Sequence, residues 1–106
     1  MTTSSTTRVK CENPRRLAKA LVTRFANTAT AEWDKEEGRG HLLFTWGHDA
    51  EVDMIAGDTV LLVHLECTVD DVVQLEGAIG RGIVELAEGA EVIWKRAGGE
   101  EGTRWG

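Results

Sequence analysis

Residues 40–67 alternate apolar and polar side chains in three successive runs separated by short breaks. Leu42 and Phe44 mark the first run, Val52 and Met54 mark the second, and the third run reads TVLLVHLEC. A period of two is typical of strands that bury one face. The breaks are too short for the crossover that joins parallel strands. The pattern therefore predicts an antiparallel meander with one buried face.

Two further segments follow a helical period. Residues 13–27 begin with Asn13, a favoured N-cap residue, and Pro14, which is favoured at the first helical position. Residues 68–87 begin with a capping-box spacing at Thr68. In both segments the apolar residues recur at helical spacing, which places them on one face. The apolar faces are formed by Leu17, Ala18, Leu21, Val22 and Phe25 in the first helix and by Val72, Leu75, Ile79, Ile83 and Leu86 in the second.

The complete element order predicts an α+β fold. Three more strands are expected at TRVKC, TAEWD and AEVIWKR, which gives the order strand, helix, four strands, helix, strand. Each helix has one apolar face, and a face of the sheet is the surface that can bury it. We expect a two-layer sandwich of a mostly antiparallel sheet with both helices on one face. This single domain covers residues 7–96, between a disordered N-terminus at 1–6 and a flexible tail at 97–106.

Composition narrows the class of protein. The chain has 106 residues, of which 42% are hydrophobic, enough for one buried core. Cys11 and Cys67 form neither a CxxC pair nor a zinc-ligand spacing, so we expect free thiols in a reducing compartment. The start of the chain lacks the apolar run of a signal peptide, and no apolar run approaches the ~20 residues that span a bilayer. We expect a cytoplasmic protein that does not enter a membrane.

No cofactor motif is evident. The stretch EGAIGRG contains three glycines, but their spacing is not GxGxxG, and they lie inside a helical period. A phosphate-binding glycine loop lies instead between a strand and the N-terminus of a helix. We therefore expect no bound cofactor, and we expect the glycines to allow close packing between the second helix and the sheet.

Charge is distributed unevenly along the chain. Residues 1–24 hold half of the 12 basic residues and one of the 18 acidic residues, whereas the whole chain has a net charge of -6. The negative total argues against general affinity for nucleic acids. Arg15, Arg16 and Lys19 share the polar side of the first helix and are the candidate anion-binding residues. The same pattern is also expected of a basic element that docks on an acidic body, and both interpretations remain open.

The parity of the three alternating runs predicts which polar residues share the outer face of the sheet. Pairing apolar with apolar positions places His41 beside Asp53 and Glu51 beside His64. Imidazole and carboxylate groups are common transition-metal ligands, so these four residues form a candidate metal site. Exposed histidine–carboxylate pairs without a metal are the alternative. No catalytic site is expected, because both serines of the chain fall in the disordered start.

Three stretches carry a resemblance to a known family: RLAKALVTRFAN, GHLLFTWG and LEGAIGRGIVELAEGAEVIWKR. They contain Phe25 late in the first helix, an F-x-[FW]-G turn at 44–47, an L-E opening of the second helix at Leu75, and Trp94 near the end. Over residues 7–96 the chain resembles the bacterial domain-of-unknown-function family 2218. The resemblance implies a helix-backed antiparallel sheet similar to the TATA-binding-protein arrangement. It implies no established activity, and a link to iron through neighbouring genes of some members.

The chain departs from the family's pattern at two places. The resemblance implies histidines around the Phe of the first helix and late in the second helix. This chain reads RFANT and GIVE at those positions. If the histidines of relatives hold a metal or haem, this chain lacks the matching ligands.

Together these observations predict a non-catalytic binding or accessory protein. Leu43, Val60 and Leu62 are expected among the charges of the outer face, which makes that face a candidate surface for a homo-oligomer or another protein partner. Two alternatives remain open. One is a metal- or iron-linked function of the histidine–carboxylate face, and the other is anion or nucleic-acid binding by the basic first helix.

Overall fold

The computed structural model of the chain describes residues 1–45 and 48–106, and within them it contains two helices and seven strands. Trp46 and Gly47, the second half of the expected F-x-[FW]-G turn, lie outside the described residues. The elements in chain order are β1 (Thr2–Lys10), α1 (Pro14–Phe25), β2 (Thr30–Asp34), β3 (Arg39–Phe44), β4 (Ala50–Ala56), β5 (Val60–Thr68), α2 (Val72–Leu86), β6 (Val92–Arg96) and β7 (Glu101–Trp105).

The strands form one antiparallel sheet in the order β2-β3-β4-β5-β1-β6-β7. Both helices cover the same face, where alternate residues such as Val9, Val52 and Val63 are fully buried. The opposite face, which we call the outer face, is not covered by a helix in the described part of the chain. The predicted α+β sandwich with both helices on one face is confirmed. The topology is compatible with the TATA-binding-protein-like arrangement that the resemblance implies.

Helix α1 forms as its sequence predicts. The Asn13 side chain accepts a hydrogen bond from the backbone N–H of Arg16 at 3.1 Å, and Pro14 is the first helical residue. Leu17 and Leu21 on its apolar face are buried against the sheet. Phe25, at the end of the helix, packs edge-on against Phe44 with the ring centroids 5.7 Å apart.

Helix α2 begins three residues later than a cap at Thr68 predicts. Thr68 still belongs to β5, and its hydroxyl donates a hydrogen bond to the Asp71 carboxylate at 3.0 Å. Asp71 takes the N-cap position, and the helix starts at Val72. From there α2 is continuous, so the glycines of EGAIGRG lie in a helix interior, as the sequence predicts.

The register of β3 against β4 is as predicted, but the register of β4 against β5 is not. Asp53 lies opposite His41, as expected. Against β5, however, Asp53 lies opposite His64, and Glu51 lies opposite Glu66 rather than His64. The cause is the turn: Gly57 N–H donates to the Val60 carbonyl at 2.9 Å, so the chain reverses one residue later than the predicted register requires. A shift of two residues keeps every side chain on its predicted face.

Both ends of the chain form strands, contrary to the expected disordered start and flexible tail. β1 lies between β5 and β6, and its Ser5 and Thr7 side chains are buried. β7 pairs with β6 at the edge of the sheet. A run of threonines and serines does not resemble a buried strand. The Ser5 hydroxyl has a buried hydrogen-bond partner in α2, whereas the buried Thr7 hydroxyl has none in the described part of the chain.

Candidate functional site: the outer face and the Glu76 cluster

The outer face brings His41, Asp53 and His64 into one row across three neighbouring strands. Asp53 of β4 lies directly opposite His41 of β3 and His64 of β5. The distance from His41 Nε2 to Asp53 Oδ1 is 4.0 Å. The row lines an open groove of about 1230 Å³, and the lining of the groove also includes Ile55 and Leu62. The groove therefore combines titratable groups with apolar surface.

The His64 ring is held from both sides. Its Nδ1 is 2.9 Å from the hydroxyl of Thr6 on β1, and its Nε2 is 3.3 Å from the Glu66 carboxylate. A hydroxyl–imidazole–carboxylate chain is also the pattern that activates a nucleophile. Here, however, Thr6 lies inside the sheet and pairs with both β5 and β6, so its surrounding backbone is engaged in the ladder rather than available to bind an oxyanion. The contacts orient the imidazole.

The four candidate metal ligands are not all brought together. His41, Asp53 and His64 share a row, whereas Glu51 lies in the neighbouring row, between Leu43 and Glu66. Within residues 1–45 and 48–106, no three histidine, cysteine or acidic side chains are grouped closely enough to hold a metal ion. Side chains on a flat sheet face run parallel, whereas a metal site requires them to converge.

Charge on the outer face is separated into two halves. We call the outward residues of β2 to β5 the acidic half and those of β1 and β6 the basic half. Carboxylates dominate the acidic half, with Arg39 as an exception, and the charged residues of the basic half are lysine and arginine. The carboxylates are Glu32, Asp34, Glu51, Asp53 and Glu66, and the cations are Arg8, Lys10 and Lys95.

The three candidate anion-binding residues have different surroundings. The Arg15 guanidinium donates to the Lys35 carbonyl at 2.8 Å, so its charge is partly committed to the turn before β3. Arg16 and Lys19 are exposed, and they make no ion pair with any residue in the described part of the chain. Leu86, an exposed residue at the end of α2, lies beside them in a shallow groove between the helices.

A third histidine, His48, lies near the start of α2. Its Nδ1 is 3.1 Å from the Asp71 carboxylate, which also accepts the hydroxyl hydrogen bond from Thr68. This contact ties the connection between β3 and β4 to the N-terminus of α2. His48 lines a different pocket from the His41 row and does not add a ligand to it.

Sequence reasoning missed a buried cluster around Glu76. The Glu76 side chain is fully buried and accepts hydrogen bonds from Ser5 at 2.6 Å and from Arg96 at 3.0 and 3.1 Å. It also accepts hydrogen bonds from the backbone N–H of Thr103 at 3.1 Å and from its hydroxyl at 3.0 Å. One carboxylate therefore joins α2 to β1, β6 and β7. The detectable signal is that Glu76 falls, by helical spacing, on the apolar face of α2, between Val72 and Ile79.

Burial and hydrogen bonding act in opposite directions on the pKa of Glu76. Burial favours the neutral acid and would raise the pKa, but the hydrogen bonds from Arg96, Ser5 and Thr103 outweigh it. The pKa of Glu76 is consequently lower than its ordinary value. The carboxylate is held ionised inside the fold, where it serves as an acceptor rather than as a proton donor.

The two cysteines are free thiols. Burial, reinforced by the negative charges of Asp71 and Glu76, raises the pKa of Cys67 to about 11. Burial also raises the pKa of Cys11. Because the thiolate is the reactive form of cysteine, neither environment activates a nucleophile.

Comparisons with known proteins bear on the fold and the family. The model of a family described as "Uncharacterized protein conserved in bacteria (DUF2218)" matches residues 6–95. The chain is also similar to the NMR structure of PA4090 from Pseudomonas aeruginosa, with a TM-score of 0.66 and 20% sequence identity over 87% of this chain and 94% of that chain. At this identity the likeness shows the fold alone. No curated protein matches the chain. In the described residues, neither helix is long and apolar enough to span a membrane.

Proposed function

The chain belongs to the DUF2218 family of bacterial proteins, and from this premise we propose that it is a non-catalytic binding protein. Its binding surface is the outer face, and the partner that this face fits is a second copy of the chain. The observation that carries the proposal is the separation of the outer face into an acidic and a basic half. A two-fold axis near β5 and β1 would place the basic half of each protomer on the acidic half of the other.

Three further features support this partner. Apolar side chains of β4 and β5, Ile55 and Leu62, lie within the groove of the acidic half, where a covering protomer would remove them from water. The molecule measures 35 × 26 × 22 Å, so its sheet face is large enough for the roughly 800 Å² per partner of a standard interface. The partner's Arg8 and Lys95 would also offset the carboxylates of the groove.

Charge reversal provides the sharpest test. One variant combines Glu51→Lys with Asp53→Lys, and the other combines Arg8→Glu with Lys95→Glu. All four side chains are exposed, so the fold should be retained. Light scattering should report a dimer for the wild type and monomers for each variant alone. An equimolar mixture of the two variants should restore a dimer, because a face that has been made more basic then meets a face that has been made more acidic.

A matched control carries the same change of charge elsewhere. Glu85→Lys with Glu88→Lys alters exposed residues in and just after α2, on the side of the sheet away from the outer face, and should leave the dimer intact. Leu62→Lys should give a folded monomer, because it places a charge in the apolar part of the interface. A wild-type protein that remains monomeric at millimolar concentration would overturn the proposal.

A metal-linked function is the second candidate, favoured by the position of Asp53 between His41 and His64. Zinc added to protein without a histidine tag should then shift the imidazole signals of both residues in NMR spectra at a stoichiometric ratio. His41→Gln with His64→Gln should abolish the response, and His48→Gln should leave it unchanged. Gradual, weak shifts of all three histidines would count against a built site.

Anion binding by α1 is favoured by Arg16 and Lys19, which are exposed and make no ion pair within residues 1–45 and 48–106. Retention on a phosphate resin should then fall when both are changed to Gln. Lys35→Gln with Arg39→Gln also removes one exposed lysine and one exposed arginine, but outside α1, and it should have little effect. Equal losses for both variants would indicate nonspecific electrostatic retention.

A further inference from the structure

β7 is held by a receptor of defined chemistry that β6 and α2 form together. The backbone of β7 pairs with β6, and Thr103 gives both its N–H and its hydroxyl to the buried Glu76 carboxylate. The Trp105 ring lies on α2 at Gly77 and Gly80. A Cβ atom added at these glycines would meet the ring at 3.1 and 2.6 Å respectively.

Two more contacts complete the receptor. The guanidinium of Arg81 lies 5.8 Å from the centre of the Trp105 ring, in a cation–π contact. Trp105 Nε1 donates to the Thr103 hydroxyl at 2.9 Å, which orients the ring on the helix. A Cβ at Gly102 would lie 2.5 Å from Glu76 and 2.9 Å from Trp94, so only glycine fits there. The receptor therefore recognises a strand with the pattern Gly-Thr-x-Trp.

The connection between β6 and β7 contributes little to this recognition. Gly98 and Gly99 both have φ of 88°, and an added Cβ would meet no atom within 4 Å at either position. The turn reverses the chain without packing on the receptor. Its thermodynamic contribution is to hold β7 at high effective concentration.

We propose that this receptor is a strand-docking site that also accepts residues 101–105 of a second copy of the chain, by exchange of β7. The contacts made in trans are the same contacts that are made in cis, because the exchanged strand is identical. In the wild type the glycine turn favours the intrachain arrangement. Any constraint that prevents this turn moves the strand to a neighbouring molecule.

The first experiment uses the full chain with Trp105→Ala. The β7 strand of this variant lacks the ring that packs on Gly77 and Gly80. A synthetic peptide of residues 97–106 should bind this variant with saturation, detected by the fluorescence of the peptide tryptophan and by a rise in Tm. The same peptide with Trp105→Ala should not bind, nor should the wild-type peptide bind the wild-type chain. No saturable binding of the wild-type peptide to the folded variant would overturn the proposal.

The second experiment does not depend on the stability of that variant. Gly98→Val with Gly99→Val strains the turn, because side chains rarely adopt this φ. It is combined with Glu51→Lys and Asp53→Lys, which remove the outer-face contact but change no residue of β6 or β7, so that the two proposals fail separately. Light scattering should then report a mass of twice the monomer, and adding Trp105→Ala should return it to the monomer. A folded monomer with the strained turn would contradict strand exchange.

Discussion

At the scale of single residues, Glu76 has the largest expected effect on stability. Its carboxylate is fully buried and accepts hydrogen bonds from three residues. Glu76→Gln keeps the shape but removes the charge that pairs with Arg96, and it places an amide donor against donors. We expect a loss of about 3 kcal/mol or more in the free energy of unfolding, as for other broken buried ion pairs. Urea denaturation measures it.

The matched control is Glu85→Gln. Glu85 also pairs with an arginine, Arg24, but 54% of its side chain is exposed. Solvent screening limits such a pair to less than about 1 kcal/mol. Similar losses for the two variants would mean that the Glu76 cluster does not behave as a buried pair.

The lowered pKa of Glu76 also predicts a pH dependence. The folded pKa lies below the unfolded value of about 4.3, so the stabilisation is fully present above that pH. It is lost as the pH falls towards the folded pKa. The difference in the free energy of unfolding between the wild type and Glu76→Gln should therefore shrink as the pH falls from about 4 to about 3, just below the unfolded pKa. A constant difference down to the lower pH would indicate that Glu76 is already protonated in the fold.

The reactivity of Cys67 reports whether the core around it opens to solvent. Burial raises its pKa to about 11, and the residue is 3% exposed. In the folded protein it should react with a thiol reagent far more slowly than in urea, and more slowly than the half-buried Cys11. The slow phase of the reaction with the reagent should be absent in Cys67→Ala, which assigns that phase to Cys67. A fast reaction of both thiols under native conditions would contradict this burial.

At the scale of elements, the apolar face of α1 anchors the first helix to the sheet. Leu21 is fully buried. Leu21→Ala should lower the free energy of unfolding by about 2–5 kcal/mol, because it removes buried methyl groups and leaves a cavity. Lys19→Ala, on the exposed side of the same helix, should change it by less than about 0.5 kcal/mol. Equal effects in denaturant melts would show that the helix is not packed as described.

The sequence pattern and the structure differ in the register between β4 and β5. Alternation predicted the faces of β3, β4 and β5 correctly, because the period of two fixes which side chains point to the core. It did not determine the register between β4 and β5, since a shift by two residues preserves the faces. The hydrogen bond between Gly57 and Val60 fixes the position of the turn and therefore the register. Asp53, rather than Glu51, consequently lies opposite His64.

At the scale of the whole molecule, charge separation on the outer face predicts a salt-sensitive dimer. Raising the salt concentration from about 0.1 M to 1 M shortens the Debye length from about 10 Å to 3 Å. The dissociation constant, measured by sedimentation equilibrium, should therefore rise several-fold. The Leu62→Lys monomer should unfold with little salt dependence, because Glu76, the carboxylate of the main ion pair in the fold, is fully buried. A dimer that strengthens with salt would point to an apolar interface instead.

The sequence by itself determined the class of fold, both helices, the buried faces and the pairing of His41 with Asp53. These features follow from local periodicity and capping, which act over a few residues. Tertiary structure alone decided the roles of the two ends. Thr103 and Ser5 gain partners only when Glu76 of α2 comes between them, and Trp105 gains a seat only when Gly77 and Gly80 lie beside it. Polar and glycine-rich segments become ordered here because distant residues satisfy them, and such pairings leave no periodic trace in the chain.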